Sequence, residues 1–265
     1  MKLSIIGFGH MGSAIIAGAI KSGILSAKDV TAADMNAGNL ARAAAMGIHT
    51  ASDNKDAVKN ADVVILAVKP SDLSELAKQI RGELDPSALL VSICAGKRLE
   101  ALCEMFGKDS KIVRVMPNTP ALVGEGMAAL CASGNVTEGE LAEVRRIFES
   151  FGRAEVLDEA LFDTVTAVSG SGPAYVYSFI DALAGYASER GMSAEQAKLF
   201  AAQTVLGAAK MTLSSEDTPQ KLKQSVCSPG GTTIEAVKVL DDRGFEQIIK
   251  DAARACEEKS RILAK

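Results

Sequence analysis

Apolar runs and helical spacings alternate along the first half of the chain. Leu3-Ser-Ile-Ile6, Asp29–Asp34, Ala61–Val68, Ala88–Cys94 and Lys111–Met116 read as strands. Between them, residues 13–21, 36–46, 71–80 and 97–106 repeat their apolar positions at helical spacing, and Asn54–Lys59 forms a short helix entered through Ser52 or Asp53. Continuously apolar strands alternating with helices predict a parallel sheet covered on both faces. Gly124–Cys131 adds a short strand, Glu138–Phe151 an amphipathic helix and Ala154–Leu157 an edge strand. From Asp158 the strand signals stop. Ala-rich helical segments follow at 159–169, 173–190, 193–213, 217–226, 232–242 and 244–263, punctuated by Gly191 and Gly244. The expected fold is therefore α/β, in two domains. A Rossmann-type doubly wound parallel sheet occupies 1–157, and an all-α domain occupies 158–265. The helical domain carries more apolar surface than a domain of its size can bury, and a dimer interface is the natural use.

The junction of the first strand and first helix carries chemistry. Ile6-Gly7-Phe8-Gly9-His10-Met11-Gly12 holds the G-x-G-x-x-G pattern between a buried strand and a helix, the context that makes it a dinucleotide-binding fingerprint. Gly7 permits a tight turn, Gly9 lets backbone N–H groups approach a diphosphate, and Gly12 lets helix and strand pack closely. The diphosphate is expected at the helix N-terminus. Asp34 stands where such a unit meets the adenosine ribose. Its carboxylate either bonds a 2′-hydroxyl and repels a 2′-phosphate, or caps the helix that follows. Strand ends at Gly7, Lys69, Ala95 and Asn118 are expected to line one crevice.

Composition narrows the choices. A chain of 265 residues suggests about two domains. A formal net charge of -4 argues against nucleic acid or anionic membrane as partner. No apolar run approaches the ~18 residues of a membrane span, and the chain enters its first strand directly, so a cytoplasmic protein without a signal peptide is expected. Five scattered cysteines, lacking any C-x-x-C, fit neither a disulfide framework nor a zinc site, and no metal is expected. With only His10 and His49, a histidine general base has almost nowhere to sit; His10 is read as a packing or cofactor contact.

Two glycine clusters interrupt the helical half. Val168-Ser-Gly-Ser-Gly-Pro-Ala-Tyr175 reads as a break before a helix that Pro173 starts and Ser171 caps, bringing N–H groups and small hydroxyls to a ligand. Tyr175 and Tyr177 are either acids or packing residues. Ser228-Pro-Gly-Gly-Thr-Thr233 places glycines and hydroxyls at a helix start, which suits a carboxylate. Glu216 reads as a solvated loop acid and stands as a further candidate for the proton step.

Taken in order, the glycine turn, Ala67-Val-Lys-Pro70, Val113-Arg-Val-Met-Pro-Asn-Thr-Pro120, Ser169-Gly-Ser-Gly-Pro-Ala-Tyr175 and Ser228-Pro-Gly-Gly-Thr-Thr233 resemble pyrroline-5-carboxylate reductase nearly end to end. The resemblance implies reduction of the cyclic imino acid 1-pyrroline-5-carboxylate to L-proline by NAD(P)H, the last step of proline biosynthesis. It implies NADPH as cofactor and homodimers that assemble further. Asp34 departs from the pattern that welcomes a 2′-phosphate, so NADH stays open; Arg42 is the nearest cation on the following helix. Together with the strand ends, the resemblance puts Asn54, Ala67, Val68, Lys69, Pro70, Ile93, Cys94, Ala95 and Asn118 beside the cofactor. Substrate is expected at Ser171, Gly172, Ser228, Gly230, Gly231, Thr232 and Thr233, with each pocket forming where Gly170–Tyr175 meets Ser228–Thr233 in an obligate dimer. Thr233 is the residue nearest the ring nitrogen. A β-hydroxyacid dehydrogenase shares the plan but needs a lysine on the central helix, and residues 173–188 contain none. A non-catalytic NAD(P)-sensing module is the remaining alternative.

Overall fold

A computed structural model describes residues 1–263. The first compact unit comprises residues 1–171 and the chain from Cys256 onward; residues 172–255 form the second. The last strand ends at Val156, close to the pattern-based boundary at 157, whereas the first unit retains the chain through Ser171.

In the first unit, β1 (Leu3–Ile6) leads into α1 (His10–Lys21), then β2 (Val30–Ala33), α2 (Ala37–Ala45), β3 (His49–Thr50) and α3 (Asn54–Val58). The chain continues through β4 (Val63–Leu66), α4 (Leu73–Ile80), β5 (Leu89–Ser92), α5 (Leu99–Phe106) and β6 (Lys111–Met116). It ends with β7 (Gly126–Ala132), α6 (Glu138–Glu149), β8 (Gly152–Val156) and α7 (Phe162–Val165). The sheet order is β3-β2-β1-β4-β5-β6-β7-β8, with β1 through β6 parallel.

The strands are apolar on both faces because both faces are covered. Leu3, Ile5, Val63, Ile65, Leu89 and Val91 join the core beneath α1 and α6. The alternate residues Ile6, Val64, Leu66 and Leu90 join a second core with α4 and α5. A two-residue period splits one apolar run between two cores.

The expectation of a uniformly parallel sheet needs correction at one edge. β7 runs antiparallel to β6, and β8 then pairs parallel with β7. The physical reason is the link: residues 117–125 form only a short 3₁₀ turn, too little chain for the crossover that a parallel neighbour requires.

The second unit contains α8 (Gly172–Glu189), α9 (Ala194–Ser214), α10 (Pro219–Ser225), α11 (Thr232–Asp242) and the first part of α12 (Phe245–Leu263). Ser193 and Gln196 form a capping box for α9, and Thr218 caps α10 with Pro219 at its first turn. Phe179, Leu199, Phe200 and Leu206 are exposed in this chain.

Candidate active site

β1 reaches its carboxyl end at the centre of the sheet, where the strand order reverses toward β4 and ligands of such sheets bind. Gly7 turns there with φ 97°, in the left-handed region, and a Cβ on it would lie 2.4 Å from the Ala67 carbonyl oxygen. A Cβ on Gly12 would come within 2.2 Å of the Gly7 carbonyl oxygen, so α1 packs directly onto the turn. Gly9 differs. Apart from its chain neighbours, nothing in the protein lies within 4 Å of its Cβ position, and Gly9 lines the adjoining cleft. As the N-cap of α1 it makes no side-chain bond to the helix, which leaves first-turn N–H groups available to an anion.

The cleft holds about 950 Å³ and is lined by Ile6, Gly7, Gly9, Asp34, Asn54, Ala67, Val68 and Lys69. A neighbouring hollow of about 320 Å³ shares Asp34 and Asn54 with it. Asn54 Nδ2 donates to Gln79 Oε1 at 3.0 Å. Asp34 does not cap α2; Asn36 does, its side chain accepting from Gly38 N–H. The Asp34 carboxylate instead accepts from Phe8 N–H at 2.6 Å, Asn36 N–H at 2.7 Å and Asn39 Nδ2 at 2.9 Å.

The remaining cofactor candidates divide by exposure. The Phe8 ring is fully buried in the core, so toward a ligand it offers backbone only. His10 is exposed at the start of α1, and Met11 packs partly against the core. Pro70 and Ala95 are exposed beyond their strands, while Ile93 packs partly against the core. Cys94 is buried, with Sγ 3.3 Å from the Val68 carbonyl oxygen. Burial pushes its thiol pKa up, which keeps it a neutral donor beneath the strand end.

The first serine–glycine cluster is not a break. Residues 166–170 form a π-helical turn that joins α7 to α8, with Ser171 N–H bonding the Thr166 carbonyl at 2.8 Å. Gly170 falls within this wider turn, while Gly172 and Pro173 open α8. Gly170 is small for packing: a Cβ would lie 2.7 Å from Met116 Cε. Ser171 Oγ accepts from Cys256 Sγ at 3.2 Å. Asn118 ties this turn to the sheet. Its Nδ2 donates to Ser169 O and Oγ, both at 3.2 Å, and its Oδ1 accepts from Met127 N–H at 2.9 Å.

In the second unit, Gly230 has φ 71° and Gly231 N–H bonds the Ser228 carbonyl at 3.0 Å. A Cβ on Gly231 would lie 2.4 Å from Ser228 Oγ, so that hydroxyl would have to turn aside for any other residue. It opens α11 with Gly231 as N-cap and no side-chain cap bond. Thr232 and Thr233 are its first residues, both exposed, as are Ser228 and Gly230. Glu216 is exposed in the link between α9 and α10.

Sequence reasoning missed the far wall of the cleft, where Asp72, Glu75 and Gln79 stand on and beside α4. The signal was present. They recur at i, i+3 and i+7 opposite buried Leu73, Leu76, Ala77 and Ile80, immediately after a strand end. Among the described residues no group of His, Cys, Asp and Glu is placed to hold a metal ion, and no helix is long and apolar enough to cross a membrane.

The geometry has close counterparts. A pyrroline-5-carboxylate reductase of Escherichia coli strain K12 is 43% identical over 265 residues, covering 100% of this chain and 98% of the relative. The chain belongs to the pyrroline-5-carboxylate reductase family. The reductase of Aquifex aeolicus is 40% identical over 99% of this chain and 97% of its own length. Residues 159–263 match pyrroline-5-carboxylate reductase dimerisation domains, and residues 2–96 match the coenzyme F420-dependent NADP oxidoreductase family. The crystal structure of the Plasmodium falciparum pyrroline carboxylate reductase with NADP bound superposes at TM-score 0.91 with 35% identity, covering 100% of this chain and 98% of that one. The Coxiella burnetii reductase gives 0.93 and 33%, with the same coverage.

In this reductase family member, Gly9→Val should weaken NAD(P)H binding severely and leave the melting temperature near wild type, because the added side chain meets cleft rather than protein. Titration of nucleotide fluorescence against both proteins checks this; equal affinities would separate the glycine turn from the diphosphate.

Proposed function

We infer that the chain reduces 1-pyrroline-5-carboxylate to L-proline with hydride from NAD(P)H, the closing step of proline biosynthesis. Likeness along the whole chain to reductases of that name carries the reading, and the cleft at the glycine turn supports it. The bound nicotinamide supplies the hydride. The chain's own residues hold and orient: first-turn N–H groups of α1 receive the diphosphate, and Asn54 and Lys69 stand beside it. The imino acid's carboxylate rests against the backbone of 230–233 at the positive end of α11. Thr233 hydrogen-bonds the ring nitrogen, on which the C=N electron pair settles as hydride bonds the adjacent carbon. No strong base is required, because a protonated imine is already an electrophile. Ser171, Gly172 and Ser228 complete the substrate contacts, and Glu216 is the candidate that relays a proton from water.

α8 contains no lysine to assist deprotonation of an alcohol, which disfavours a β-hydroxyacid dehydrogenase. Adding pyrroline-5-carboxylate to protein and NAD(P)H should oxidise the nucleotide and yield proline. Oxidation by a β-hydroxyacid substrate alone, or nucleotide binding without turnover, would overturn the reading.

The exposed apolar side chains of the second unit and the match to dimerisation domains support a homodimer as the working form. Light scattering should give at least twice the chain mass at assay concentration. An active monomer would contradict it.

A further inference from the structure

We propose that Asn39 and Arg42 are positioning residues of the cofactor cleft, fixing Asp34 and the peptides around Phe8 in one frame that selects the 2′-hydroxyl of NADH over the 2′-phosphate of NADPH. The proposal rests on the reading of the cleft as a nicotinamide-dinucleotide site.

Phe8 sits between Gly7 and Gly9, the two residues least able to hold a backbone orientation by themselves. Its buried ring anchors one side. The peptides on either side of it are held from the end of β2 and from α2. Phe8 N–H donates to Asp34 Oδ2 at 2.6 Å, and the Phe8 carbonyl accepts from Arg42 Nη2 at 2.9 Å. Asn39 closes the ring: its Nδ2 donates to Asp34 Oδ2 at 2.9 Å, and its Oδ1 accepts from Arg42 Nη2 at 3.0 Å. Asp34, Asn39 and Arg42 thus grip the middle of the diphosphate turn through residues 26 to 34 positions away.

The frame also fixes what the adenosine ribose meets. Asp34 and Asn39 both line the cleft. The Asp34 carboxylate has about four acceptor sites and uses them for three donors, leaving room for one hydroxyl hydrogen. A 2′-phosphate brings acceptors and negative charge, and Asp34 offers it neither a donor nor a countercharge. Arg42, the nearest cation on the following helix, is turned to the Phe8 carbonyl and Asn39.

The test measures dissociation constants of NADH and NADPH by nucleotide fluorescence, without imine substrate, alongside melting temperature. The wild type should bind NADH more tightly than NADPH. Arg42→Met should weaken both nucleotides about tenfold, the effect of losing bonds to a charged group. Asn39→Leu, which leaves the arginine charge in place, should cost NADH the same, with melting shifted by no more than a few degrees for either variant. Asp34→Ser should move the preference toward NADPH.

Loss of NADPH binding alone in Arg42→Met would make Arg42 a phosphate ligand and overturn the proposal. So would NADH affinity unchanged in both variants, or loss only in step with unfolding. Tight NADH binding with these responses but no reduction of pyrroline-5-carboxylate would sink the reductase reading and leave this one standing.

Discussion

Glu159→Ala should destabilise the chain by about 3 kcal/mol, the low end of the cost of stripping a buried charge of its partner. Arg114 lies on β6 with only 5% of its surface exposed, and its Nη1 donates to Glu159 Oε1 at 2.7 Å. Its guanidinium also stands 4.6 Å from the centre of the Phe162 ring. The same Glu159 oxygen accepts from Leu99 N–H at 2.7 Å, capping α5, whose own N-cap residue Arg98 makes no side-chain capping bond. Alanine therefore leaves a buried guanidinium facing an aromatic ring and a helix end without its acceptor. The carboxylate is 27% exposed, so water reaches the vacated place and holds the cost at the lower end. Urea midpoints at one fixed protein concentration measure it, since association would otherwise shift the result. Glu159→Gln keeps an acceptor for Leu99 and should cost about half. Replacing both members, Arg114→Met with Glu159→Leu, should recover most of the loss, because no lone charge then stays buried. A single-variant cost under ~1 kcal/mol would mean that the pair behaves as a surface ion pair.

That ion pair also shows where the sequence stops being legible. Periodicity is local, and it placed the elements well: Lys111–Met116 is the strand expected, and the long helices begin and end within a residue or two of their sequence marks. β3 was invisible because two residues carry no period. The π-helical turn was read as a break because glycines and proline mark turns far more often than wide helical turns. The edge reversal at β7 followed from linker length, which the run of strands concealed. Asp34 and Asn36 are both good cap residues two positions apart, and only the structure shows Asn36 capping while Asp34 reaches back to Phe8. Pairings such as Arg114 with Glu159 and Asn118 with Ser169 join residues 45 and 51 positions apart, and nothing local announces them. The glycine turn was legible because its spacing between an apolar strand and a helix is itself a local pattern, although the demand on Gly7 comes from Ala67 across the sheet and Gly9 is left bare toward the cleft.

Thr233→Ala should cost turnover ~10²-fold or more, with the melting temperature close to wild type. A threonine at the start of a helix has two roles open to it, a helix cap or a partner of the substrate nitrogen. The cap position of α11 belongs to Gly231, which makes no side-chain bond, and Thr233 follows as the second helical residue, exposed. A cap would have been worth ~1 kcal/mol of stability; a hydroxyl outside the cap position contributes far less. The substrate's carboxylate is assigned to backbone N–H groups that the mutation leaves in place, so KM should change less than kcat. Threonine is too weak an acid to protonate a free amine outright, and its work is to hold the nitrogen while hydride arrives at the adjacent carbon. Thr233→Ser keeps the hydroxyl and should retain most of the turnover, separating loss of the bond from loss of the methyl group. If Thr233→Ala turns over normally and melts several degrees lower, the hydroxyl serves the helix and has no part in the reaction.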